Sequence, residues 1–215
     1  MHAERYSGSY NAVISLGSNC LPAIQLERNG LRRFTGPIDW MDSKHTPAII
    51  ELIRNHFDHF LYKPHLQSLG ILNDFVLIQD NRYQVIVVHD FPVANNDEHH
   101  WNSYPEVIDK VTRRIQRLYQ YMERSERLLF IRTDTTMNDA LALEQELRSH
   151  VKNEFHLLIV NHENVGTLSA LHWPLVYGTA FALPKNNDIW NDNDAHWKTL
   201  LQGVKIVPSR KFTNE

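Results

Sequence analysis

The sequence predicts an α/β fold: one domain over residues 1–215, with a mainly parallel central sheet flanked by helices and a papain-like α+β arrangement as the alternative. Three observations carry that expectation. Short aliphatic runs alternate along the chain with stretches whose apolar residues recur at helical spacing. The series "RLLFIRTD", "MNDALALEQELRSHV", "FHLLIVNHEN" reads as strand, helix, strand, for which a parallel crossover is the natural connection. No linker rich in Pro, Gly or Ser divides the 215 residues, and 42% hydrophobic content is enough to bury a sizeable core.

The elements follow in order. "NAVISLG" reads as a buried strand, and "LPAIQLERNG" as a helix stopped by Gly30, so Cys20 falls at a strand-to-helix junction. Residues 46–60 carry Ile49, Leu52, Ile53 and Phe57 at helical spacing, with Pro47 suited to a first turn. "DFVLIQD" and "RYQVIVVHDF" read as two strands joined at Asp80-Asn81-Arg82, most simply a hairpin. Residues 105–124 align Val107, Val111, Ile115, Leu118 and Met122 along one stripe, with Pro105 and Glu106 favouring a first turn. Leu143, Leu147 and Val151 repeat that spacing in the crossover helix. "TAFALP" then gives a last strand, and "NDIWNDNDAHWKTLLQGV" a polar loop and a closing helix.

Composition narrows the function. Lys and Arg total 22 against 25 Asp and Glu, a formal charge of −3, so no broad cationic field announces nucleic acid or an anionic membrane. Arg113, Arg114, Arg117, Arg124 and Arg127 recur at helical intervals with glutamates nearby and read as one solvated face or as ion pairs to acidic neighbours, so nucleic acid is not expected. No apolar run approaches the length that crosses a bilayer, and no internal repeat is present. A single cysteine forms no internal disulfide and "MHAERYSGSY" lacks a signal-peptide core, so the expected address is cytoplasmic. No HxH, HExxH or His/Cys ligand spacing occurs, and neither a metal nor another cofactor is expected. The expected partner is an acyl, peptide or other small-molecule substrate, and nothing specifies an oligomeric state.

The strand ends concentrate chemistry. Ser18-Asn19-Cys20, His89-Asp90, Arg132-Thr133-Asp134 and Asn161-His162 each follow a run that must be buried, and in open α/β sheets such ends line the ligand crevice. Caps and turns favour the same residue types. A free cysteine is usually a small core hydrophobe. At a helix N-terminus, however, the dipole favours its nucleophilic thiolate and nearby amides can hold an oxyanion, so Cys20 is expected to have a depressed pKa. Of the 13 histidines, His45, His56, His59, His99, His100 and His150 read as solvated surface. His89 follows Val85-Ile86-Val87-Val88 and becomes the expected base, with His162 and His196 as competitors.

"SLGSNCLPAIQLERNGLRRFTGPIDWM", "VVHDF", "RRIQRLYQYMERSERLLFIRT", "LLIVNHENV" and "LPKNNDIWNDNDAHWK" together resemble the bacterial family described as "putative papain-like cysteine peptidases", a domain of unknown function. The resemblance spans nearly the whole chain and rests on SLGxxC, the downstream DW and the HDF tripeptide. It implies a Cys–His nucleophilic pair, carried here onto Cys20 and His89, and a scheme similar to acyl transfer through a thioester. Papain-like sheets are antiparallel, which the predicted parallel crossover does not match.

The remaining site residues are assigned around that pair. Asp90 is the expected third catalytic member, provided its strand has ended there, since strand neighbours face opposite ways. Asp39 is an alternative, or else a turn cap beside a core Trp40. Substrate contacts are expected from Ser18, Asn19, Asp39, Arg132, Asn161, His162, Trp190 and Asp194, with Trp197 as a second candidate wall. Arg132 would hold a carboxylate or phosphate, or form a structural ion pair instead. The function expected is a thiol hydrolase or acyltransferase; the alternative is an inert module holding a small molecule or glycan in the same cleft.

Overall fold

In the computed structural model, which describes residues 5–208, the apolar runs pair into three sheets. The elements in chain order are β1 (Gly8–Tyr10), β2 (Ala12–Ser15), α1 (Leu21–Arg28), β3 (Met41–Asp42), α2 (Thr46–Arg54), a 3-10 turn at Lys63–His65, β4 (Leu66–Leu72), β5 (Phe75–Asp80), β6 (Val85–Val87), α3 (Tyr104–Arg124), β7 (Arg127–Thr133), α4 (Met137–His150), β8 (Glu154–Glu163), β9 (Ser169–Leu171), β10 (Gly178–Pro184), α5 (Asp194–Leu201) and β11 (Val204–Ile206). A five-stranded sheet has the order β2-β7-β8-β10-β9, its first four strands parallel and β9 antiparallel at the edge. A four-stranded antiparallel sheet has the order β3-β6-β5-β4, and β1 pairs with β11 in parallel.

The α/β class therefore holds, while the expectation of a mainly parallel architecture is corrected: the sheets are mixed. The short turn after Asp80 forces β5 and β6 antiparallel. These two strands do not join the parallel sheet but recruit β3 and β4 into one of their own. β7, α4 and β8 do form the parallel crossover that the sequence spelled out.

Strand alternation sorts the core onto two faces of the five-stranded sheet. Ile14, Leu128, Phe130, Leu157 and Ile159 pack against Ile49 and Leu52 of α2, Val111 and Leu118 of α3 and Leu143 and Leu147 of α4. Val13, Leu129, Ile131, Leu158 and Val160 face the other way, onto Leu21 and Leu26 of α1 and Trp197 and Leu200 of α5. Trp197 is thus core rather than cleft wall, and each face follows the period of two that a strand imposes.

One helix is shorter than its apolar period. A helix over residues 46–60 was expected, but α2 ends at Arg54, because His56, Phe57, His59 and Leu61 all have positive φ (53°, 59°, 55° and 56°). The Phe57 amide instead donates back to the Leu52 carbonyl at 2.7 Å. Phe57 and Phe60 still reach the core, by way of turns.

Candidate active site

The segment after β2 is built by close approach. Gly17 has φ +84°, and a Cβ there would collide with Ser43 Oγ, so both the conformation and the space require glycine. The Ser18 amide donates to Thr133 Oγ1 (3.0 Å), and the Ser18 carbonyl accepts from the Ser43 amide (2.6 Å). Asn19 Oδ1 accepts from the Leu21 amide (2.9 Å), and Pro22 occupies the first turn of α1. Cys20 is left as the N-cap of α1, 7% exposed.

Arg132 holds this segment in place from below. Fully buried, it donates through Nη1 to the Leu16 carbonyl, through Nη2 to the Ser43 carbonyl (2.7 Å) and through Nε to Thr46 Oγ1 (2.9 Å). It therefore staples the end of β2 to the start of α2 and has no face left for a substrate carboxylate or phosphate. That corrects the binding role expected of it.

Cys20 and His89 line one cleft of about 570 Å³ together with Asn19, Trp190, Asp42 and Lys44. The remainder of its lining is Leu72, Asn73, Leu77, Ile86, Val88 and Ile189, so the wall opposite the polar groups is mostly aliphatic. His89 follows β6 and is exposed; its ring meets Trp40 and Phe75 edge-on at centroid distances of 6.4 and 5.5 Å. Neither ring nitrogen of His89 hydrogen-bonds to any described residue, and no hydrogen bond joins it to Cys20.

Six other expected residues serve the framework instead, and their roles are corrected accordingly. Asp90 forms an ion pair with Lys110 of α3 and does not orient His89. Asp39 caps a turn, accepting from the Gly36 amide (2.9 Å) and from Arg32 Nη2 (3.3 Å). Ser18 is spent on Thr133 and Ser43. Asn161 grips the loop after β7, accepting from the Thr135 amide (3.0 Å) and donating to its carbonyl (2.8 Å). His162 pairs through Nδ1 with Asp134 Oδ1 (2.9 Å), leaving Nε2 buried with no partner among the described residues. Asp194 ties α5 to α1 by accepting from Gln25 Nε2 (2.6 Å) and Arg28 Nη1 (2.7 Å). His196, the other competitor, faces Asn193 Oδ1 at 3.2 Å and Thr167 Oγ1 at 3.5 Å.

The electrostatics at Cys20 run against the expected depression. Burial pushes the thiol up to about 11, the carboxylates of Asp42 and Asp39 push in the same direction, and only its own backbone amide opposes them. The end of a helix of eight residues offers roughly half a charge, less than desolvation and two carboxylates together impose. The resting side chain is a thiol.

Asp42, Lys44, Leu77, Ile86 and Val88 were missed as site residues. The usable signal was "FVLIQD" and "VIVV", which are apolar on both strand faces although only Val76, Ile78, Val85 and Val87 belong to the core. Asp42 and Lys44, 3.1 Å apart, come from a strand of two residues and the loop after it, too short to give any periodic signal.

Among known proteins, the family model "Putative papain-like cysteine peptidase (DUF1796)" matches residues 11–165, well over half of the chain. "Uncharacterized protein R408" of Acanthamoeba polyphaga mimivirus is 25% identical over 217 residues, covering 87% of this chain and 96% of that protein. This relative is viral, so the restriction to bacteria is not upheld. No solved structure matches. A cysteine opening a helix and a histidine at the end of an antiparallel strand agree with the match, and the chain belongs to the family described as putative papain-like cysteine peptidases.

Proposed function

We propose that the protein is a thiol hydrolase in which Cys20 is the nucleophile and His89 the base. The observation that carries this reading is a cleft shared by the two side chains, with both imidazole nitrogens of His89 free of hydrogen-bond partners among the described residues. His89 takes the Sγ proton, the thiolate attacks an acyl carbonyl carbon, and the C–N or C–O bond breaks as the imidazolium returns that proton to the leaving group. Water, deprotonated by His89, then cleaves the thioester and regenerates the thiol. Among amides at the start of α1, that of Leu21 is occupied by Asn19 and Pro22 has none, so the Cys20 amide, beside its own sulfur, is the oxyanion donor in this reading. The aliphatic wall suits an acyl group with an apolar chain or side chain.

The test is turnover of an aliphatic p-nitrophenyl ester, with intact-mass detection of the acyl adduct. His89→Ala is expected to lower the rate by about a hundredfold to ten-thousandfold. Cys20→Ala removes the adduct. Because His89 is exposed, its removal changes stability by no more than about 0.5 kcal/mol. Full turnover in either variant would overturn the assignment.

The buried, proton-retaining thiol favours a second reading, an inert module that holds an apolar ligand in the same cleft. Under that reading no adduct forms on Cys20, and ligand affinity is indifferent to His89→Ala.

A further inference from the structure

The edge of the five-stranded sheet opposite Cys20 carries a second cavity, of about 400 Å³, where β7 and β8 begin. Strands of seven residues or more place it about 20 Å from the thiol's end of the sheet. Its walls include Arg5, Arg127, Arg148, His156 and Tyr177, with Glu154 among them. In a chain whose formal charge is −3, three guanidinium groups around one small cavity are not a reflection of overall composition.

Each guanidinium is held by something other than a strong carboxylate pair. Arg127 lies over the Tyr10 ring at 4.5 Å, and Arg148 over the Tyr177 ring at 5.7 Å. Arg5 Nη2 donates to the Leu175 and Val176 carbonyls at 3.4 Å. Among the described residues the only carboxylate in the cavity is Glu154, 3.7 Å from Arg127 Nε with its side chain 80% exposed, where water screens it. Arg5 and Arg148 have no carboxylate partner among the described residues. The positive field is felt at the back wall, where the buried imidazole of His156 is pushed down to about 4 by burial and then by Arg5 and Arg127. Tyr177 keeps 42% of its surface open to solvent.

We propose that this cavity binds a phosphate ester joined to an aromatic ring, a ligand of the nucleotide class, with the guanidinium groups on the phosphates and the ring against Tyr177. Guanidinium forks match phosphate oxygens in pairs, and when the exposed Arg148 turns from the Tyr177 ring to a phosphate, that ring, packed on Phe155 at 5.5 Å, supplies a stacking surface of about a base's size. The cavity lies within the volume range of small-molecule sites, roughly 300–1,000 Å³. The site is separate from the thiol cleft and does not depend on its chemistry.

The experiment is calorimetric titration of the full chain with ADP and, separately, with inorganic pyrophosphate, following the His156 ring protons by NMR in parallel. ADP is expected to bind saturably and to shift the His156 signals. Arg148→Glu, at an exposed position, should weaken both ligands about tenfold or more while the melting curve stays that of a folded protein. Tyr177→Ala should weaken ADP several-fold and leave pyrophosphate unchanged. No saturable binding of ADP at millimolar concentration, or binding undiminished in Arg148→Glu, would overturn the site. Pyrophosphate binding as tightly as ADP would overturn the nucleotide class.

Discussion

At Cys20 the helix dipole and the desolvation of the thiol act in opposite directions, and the larger effect is not visible in a sequence. "GSNCLP" announces a helix start, and with it a charge that favours thiolate. What it conceals is that Asp42 and Asp39 arrive from other parts of the chain and that the sulfur is buried, which together push the thiol up to about 11. Alkylation of the free protein by iodoacetamide is therefore expected to be slow at pH 7 and to keep rising with pH beyond 8.5, the ordinary cysteine range. Asp42→Asn removes the larger of the two carboxylate contributions and should speed alkylation several-fold at pH 8, since each unit of lowered pKa gives about tenfold more thiolate there. An unchanged rate in Asp42→Asn, or a plateau below pH 8, would contradict this electrostatic account. The place of His89 at a strand end was legible because four aliphatic residues precede it, whereas Asp90 looked equally apt until Lys110, from a helix some twenty positions on, claimed its carboxylate.

Among the elements, β2, the β7–α4–β8 crossover and α3 could be read because their periods of two and 3.6 persist over several residues. β4 could not: "LQSLGIL" is broken at Gly70, where its register against β5 shifts between Ser68 and Ile71, so no clean alternation survives. β1, β3 and β11, of two or three residues each, exist only because a partner strand is present. The junction of β2 and α1 depends most on Arg132, whose sequence context "FIRTD" suggested a ligand-facing strand end. Removing its side chain leaves Leu16 O and Ser43 O unpaired in the interior and Thr46 Oγ1 with Thr135 Oγ1 alone. Arg132→Met is therefore expected to cost about 2 kcal/mol or more, at roughly 1–3 kcal/mol for each of the two orphaned carbonyls, and Arg132→Lys to recover only part of it, because an ammonium cannot span three acceptors on a planar fork. Urea midpoints at pH 7 read both values, and a midpoint within 0.5 kcal/mol of wild type for Arg132→Met, on the ordinary scale of a surface change, would show that the staple is dispensable.

For the molecule as a whole, two cavities lie at opposite ends of the parallel strands. The C-terminal ends carry the thiol cleft, while the N-terminal ends carry a cationic cavity backed by His156. His156 lies within the packing that unites β8, β10 and the N-terminal segment: its Nε2 meets Thr179 Oγ1 at 2.8 Å, and its ring tilts against Tyr6 at 5.6 Å. Burial, then Arg5 and Arg127, lower it from 6.5 to about 4 in the folded chain. Between those two values the unfolded chain binds the proton and the folded chain does not, so stability rises with pH across the window. The contribution is fully present above about pH 6.5 and is lost as pH falls through about 4, amounting to about 3 kcal/mol on the scale of 1.36 kcal/mol per unit. Carboxylates add slopes of their own at low pH, so the informative quantity is a difference: His156→Gln, whose amide nitrogen can still donate to Thr179 Oγ1, should lose less stability than wild type between pH 6.5 and 4. Parallel urea titrations across that range check it. Identical slopes in the two proteins would mean that His156 takes up its proton within the fold without penalty, and that the arginine field at this end of the molecule is already neutralised.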